Sequence, residues 1–67
     1  MDKITGNIVE VFKTSGKTQA QVADAMGIAQ QSFAQYLTGK AFPNLHNLKK
    51  LCQALDCTYE EILGELD

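Results

Sequence analysis

Apolar residues recur along the chain at helical spacing and nowhere alternate as a strand would. Ile4, Ile8, Val11 and Phe12 stand at i, i+4, i+7 and i+8, one face of a first helix. Asp2 is suited to cap its start. Ser15-Gly16 ends it, since glycine accepts the left-handed conformation that follows a helix. Thr18 and Gln21 are spaced as a capping box, opening a short second helix with Val22, Ala23 and Met26 inward and Gly27 as its stop. A third helix is predicted from Gln30 to about Thr38, burying Phe33, Tyr36 and Leu37 and stopping at Gly39. Its N-cap slot falls on Ala29, which has no side-chain acceptor.

After the loop Lys40-Ala41-Phe42-Pro43, Asn44 is a good cap for a fourth helix that turns Leu45, Leu48, Leu51, Cys52 and Leu55 inward. Asp56-Cys57 breaks that helix. Thr58 and Glu61 make a second capping box, and the last helix carries Ile62, Leu63 and Leu66. The prediction is an all-α fold: a compact five-helix globule over residues 1–67, one domain without repeat or linker. A chain of 67 residues buries only about 60% of its unfolded surface, so the core is small.

Composition narrows the class. With 45% hydrophobic and 21% charged residues the chain has the material to fold. No apolar run nears the ~20 residues of a bilayer span, and no basic start leads into a signal-peptide core. A cytosolic protein without a membrane partner is expected. Two cysteines are too few for a disulfide scaffold. The net charge of −2 argues against a nucleic-acid partner until its distribution is considered. Residues 1–50 hold all six lysines against three acids, whereas residues 51–67 hold five acids and no base. A weakly basic body carries an acidic end, and the field at any binding face depends on that geometry.

The informative segment is Thr18 to Lys40, two short helices joined by a tight turn at Gly27. Subtracting the inward residues of the second leaves Gln30, Gln31, Ser32, Ala34, Gln35 and Thr38, a face of amides and hydroxyls with no charge. An ordinary solvated face would carry Glu and Lys. Uncharged donors and acceptors suit hydrogen bonding to base edges, and glutamine can pair in bidentate fashion with adenine in the major groove.

From about Ser15 to Leu66 the sequence resembles the helix-turn-helix DNA-binding domains of lambdoid phage repressor and Cro proteins. The resemblance rests on Gln19, Val22-Ala23, Met26-Gly27-Ile28, the QQS at 30–32, Gln35, Gly39-Lys40 and Pro43, then Leu48, Leu51, Leu55 and Cys57. It implies a repressor-like fold in which the third helix lies in the major groove and the second crosses above the backbone. It assigns base reading to Gln30, Gln31, Ser32 and Gln35. Gln19 takes the position that bonds a phosphate and braces the first recognition glutamine. Lys40, Asn44 and Asn47 match a phosphate-contacting loop and helix start, and Lys17 flanks the motif as a further phosphate contact.

Several positions depart from that pattern. Where many relatives pair a basic residue on the first helix with a late Glu on the recognition helix, this chain places Phe12 and Leu37. The position before proline, often basic, is Phe42. There is no arginine, so bidentate guanine readout by arginine is absent and modest affinity for a single domain is expected. The implied function is a sequence-specific transcriptional regulator of phage or prophage type that binds double-stranded DNA without a cofactor. A single domain reads only a half-site, so a homodimer on a pseudo-palindromic operator is expected, weakly associated in solution through Ile62, Leu63 and Leu66.

Two rival readings stand beside this one. A protein-interaction module on the same scaffold is favoured by the acidic end and opposed by the glutamine face. An enzyme or metal protein lacks the parts. The single histidine, His46, stands six residues before Cys52 and off its face of the helix, and three scattered ligands fall short of a structural zinc set. Cys52 and Cys57 are expected as reduced, buried thiols in the core between the last two helices, dispensable for DNA binding.

Overall fold

A computed structural model describes residues 2–64. They form α1 (Lys3–Ser15), α2 (Gln19–Met26), α3 (Gln30–Thr38), α4 (Leu45–Leu55) and α5 (Tyr59–Leu63). No strand occurs among the described residues. The termini follow the local chemistry of the sequence. Asp2 Oδ1 accepts from the Ile4 N–H at 2.8 Å, and Asn44 Oδ1 accepts from the Asn47 N–H at 2.8 Å. Thr18 with Gln21 and Thr58 with Glu61 both close complete capping boxes. Ala29 makes no side-chain cap, as its chemistry requires.

The core is one cluster fed by every helix: Ile8, Val22, Ala23, Met26, Phe33, Tyr36, Leu48, Leu51, Cys52, Ala54, Leu55 and Ile62. Ile4, Val11, Phe12, Ile28, Leu37, Ala41 and Cys57 pack around it, partly buried. The Phe12 ring meets Phe33 edge-on at 5.3 Å between centroids, and Phe33 meets Tyr36 the same way at 6.5 Å. The apolar substitution at Phe12 and Leu37 is therefore used as packing. α2 lies against α3 and α4, and α1 against α3 and α5. α3 reaches α4 through one hydrogen bond, Asn47 Nδ2 donating to Tyr36 Oη at 3.2 Å.

Two positions, Leu45 and Cys57, differ from the sequence reading. Leu45, expected inward, is 81% exposed. It is the first residue of α4, and the apolar stripe that includes it overhangs the end of the core. Leu63 is 38% exposed because α5 stops one residue later at Gly64. Leu66 lies outside the described residues. Cys57 is only half-buried, since it sits in the turn after α4 rather than on a helix face. Thr5, a polar residue, is fully buried between the apolar positions of α1, and its Oγ1 has no hydrogen-bond partner among the described residues. A Cβ placed on Gly39 would sit 3.4 Å from that oxygen, so Thr5 and Gly39 pack α1 closely against the end of α3.

Candidate nucleic-acid interface

The turn between α2 and α3 sets the site. Gly27 is left-handed (φ 72°), the backbone conformation in which a side chain is strained and glycine is not. The Gly27 N–H donates to the Asp24 carbonyl at 3.1 Å and the Ile28 N–H to the Ala23 carbonyl at 3.0 Å. With Ile28 tucked against the core, three residues suffice to turn the chain from α2 into α3. Phe33 and Tyr36 then anchor the inner side of α3 and fix which residues remain outside.

Gln30, Gln31, Gln35 and Thr38 are exposed, and Ser32 and Ala34 are half-buried. Gln31, Gln35 and Thr38 stand at i, i+4 and i+7, so they follow one line along the helix. With Ala34 and Lys40 they line a shallow groove of about 170 Å³ on the outer surface. Four of its five lining side chains are uncharged, and the fifth, Lys40, places a cation at one end. Lys40 follows the left-handed Gly39, and its own N–H is tied to the Gln35 carbonyl at 3.1 Å.

The remaining expected site residues are placed unevenly. Gln19 opens α2, half-buried. Asn44 is exposed as the cap of α4. Asn47 is half-buried and its amide donates to Tyr36 Oη, so it ties α4 to α3. Lys17 sends its Nζ to the Ala54 carbonyl near the C-terminus of α4, where a cation also complements the helix dipole. Its ammonium is thus committed to helix packing and not gathered with the groove. Phe42 (52% exposed) in the loop and Leu45 at the start of α4 are exposed apolar residues. The sequence pattern gave Phe42 only as a departure from relatives and gave Leu45 as core; its place at the first helical position was the signal for exposure.

At the α4–α5 junction burial, and then the neighbouring Cys52, push the Cys57 thiol up to about 12. Burial likewise raises Cys52. No helix among the described residues is long and apolar enough to cross a membrane.

Comparison with known proteins agrees with this architecture. The chain is 37% identical over 62 residues to the cryptic phage CTXphi transcriptional repressor RstR of Vibrio cholerae serotype O1. That match takes in 92% of this chain and 55% of the relative, so the chain spans about half the length of the curated relative it matches. No solved structure matches. The family model described as Helix-turn-helix matches residues 8–62, from the middle of α1 to the core residue Ile62 of α5. The chain belongs to the helix-turn-helix family.

Proposed function

We propose that this chain is a sequence-specific double-stranded DNA-binding domain acting as a transcriptional regulator of the phage repressor type. The observation that carries the reading is the outward face of α3, a row of exposed amides and hydroxyls without charge on the second helix of the motif. In the major groove Gln30, Gln31 and Gln35 hydrogen-bond base edges, and Ser32 reaches a base or the adjoining phosphate. Ala34, small and half-buried between them, allows close approach of the helix. Gln19, Lys40 and Asn44 contact phosphates and fix the register. Asn47 supports them by holding Tyr36. Lys17 joins them only by releasing the Ala54 carbonyl. Regulation is by occupancy of an operator, and no covalent step is involved.

A half-site of a few base pairs gives little specificity alone, so the functional unit is a homodimer on a pseudo-palindrome, assembled on DNA more than in solution. Selection of bound sequences from random duplex DNA tests the whole reading. It should return a pseudo-palindromic consensus with adenine at positions reached by the glutamines. Binding that changes with salt but yields no consensus would reduce the domain to non-specific contact. DNA left unmoved even at low salt would transfer the function to protein interaction.

A further inference from the structure

The end of α4 brings two thiols together. Asp56 takes the left-handed conformation (φ 54°). The Cys57 N–H donates to the Cys52 carbonyl at 3.0 Å, and the Asp56 N–H to the Gln53 carbonyl at 3.4 Å. This is the Schellman arrangement, in which the residue after the left-handed position closes back on the last turn and the two side chains so paired come into contact. In most helices that contact joins two hydrocarbon side chains. Here both are cysteines, and neither is in a disulfide. Both line the same open cleft of about 410 Å³ at the α4–α5 junction, with Lys49, Asp56 and Tyr59 as its other titratable groups. Cys52 forms the inner side at 7% exposure, and Cys57, half-buried, is the outer.

We infer that Cys52 and Cys57 constitute a dithiol modification site that a hydroperoxide converts to an intrachain disulfide. Cys57, the accessible member, gives up its proton and attacks the peroxide. A sulfur–oxygen bond forms, the oxygen–oxygen bond breaks, and the departing oxygen takes a proton as water or an alcohol. Cys57 is then a sulfenic acid. The Cys52 sulfur attacks it, the sulfur–sulfur bond forms, and the hydroxyl leaves with the Cys52 proton as water. Two thiols lose two electrons in all, and one peroxide gains them. The backbone bond between the two residues holds them side by side before any sulfur bond exists. Burial, with Glu61 and Asp56 close by, keeps both thiols protonated, so the first step is slower than at an activated cysteine. An adjacent resolving thiol captures the sulfenic acid before further oxidation.

The test uses the full chain, reduced, then exposed for hours to excess hydrogen peroxide at about pH 8 to let the slow first step proceed, followed by alkylation and intact-mass measurement. The expected product is a monomer lighter by about two hydrogens, with both alkylation sites lost together and restored by dithiothreitol. Cys52→Ala should abolish that product and leave Cys57 gaining oxygen or forming intermolecular dimers. Cys57→Ser, a small change at a half-buried turn, should abolish it with the helical circular dichroism intact, which keeps the test valid if Cys52→Ala does not fold. Oxygen gain at both cysteines independently in the wild type would overturn the inference. So would two thiols that stay fully alkylatable after prolonged exposure to excess peroxide.

Discussion

α3 and α4 have similar lengths and opposite designs. α4 begins with a side-chain cap at Asn44, buries Leu48, Leu51, Cys52, Ala54 and Leu55, and packs on α1, α2 and α5. Its exposed positions after the first turn include Lys49 and Gln53, an ordinary solvated mixture. α3 begins at Ala29 with no cap, buries two aromatic rings, and turns a row of neutral amides outward. A missing cap costs roughly 1 kcal/mol, whereas burying an aromatic side chain contributes several times that through area and packing. α3 is therefore held by tertiary contact rather than by its own ends. What this teaches is that its outer surface and first turn are free of folding duties, which is what a reading surface requires.

The hardest test of that contrast is to remove the anchor. Phe33→Ala should cost about 3–5 kcal/mol, a large part of the stability of so small a domain, and should abolish binding to every DNA sequence alike. Urea denaturation checks it. A loss under ~1 kcal/mol would mean that α3 does not depend on its rings.

Changes on the outer face should separate reading from holding. Gln31→Ala or Gln35→Ala should weaken the best operator by roughly 1–3 kcal/mol and relax preference at one or two base pairs, with stability within about 0.5 kcal/mol of wild type. Lys40→Ala should weaken all sequences together and reduce the log–log salt slope by about one unit. Titrations of specific and random duplexes over a salt series distinguish the two patterns. If the glutamine changes weaken random and selected DNA equally, α3 is not in the groove.

Supplying the missing cap should pull stability and binding apart. Ala29→Asp should raise stability by about 1 kcal/mol, because a carboxylate satisfies the first-turn N–H groups and opposes the helix dipole. The same charge, beside the phosphates, should weaken DNA binding. Asn44→Ala at the already capped helix should lose about 1 kcal/mol instead. Thermal melts paired with affinity measurements decide the matter, and a gain in both properties would refute the assignment of this end to DNA.

A further effect, confined to alkaline pH, concerns the far end of α4. The Cys57 thiol is held up to about 12 in the folded chain, against an ordinary value of 9.0. Below pH 9 both states keep the proton and this contribution to stability is fully present. Between about 9 and 12 the unfolded chain releases it and the folded chain does not, so stability falls as pH rises. Cys57→Ala should make that alkaline decline shallower, as measured by denaturation across the window. An unchanged slope would show that the thiol is not held protonated by the fold.

Local chemistry along the chain sets the elements and their ends. Helical spacing placed all five helices, and Thr18, Asn44, Thr58 and Gly27 marked boundaries that need only a few neighbouring backbone groups to form. Those are local interactions, and local interactions are legible residue by residue. It also determined the outward face of α3, because removing Phe33 and Tyr36 from a short helix leaves only one surface. How far each apolar stripe is covered depends instead on the packed fold. Leu45 and Leu63 have the right spacing yet lie beyond the packed area, while Thr5 lies at its centre. Periodicity gives the direction a side chain points, but coverage depends on where neighbouring helices end. The same holds for Lys17, Asn47 and the Cys52–Cys57 pair. Which carbonyl, hydroxyl or thiol each one meets is set by chain segments that its own neighbourhood in sequence does not contain, or by a turn whose closure becomes visible only in three dimensions.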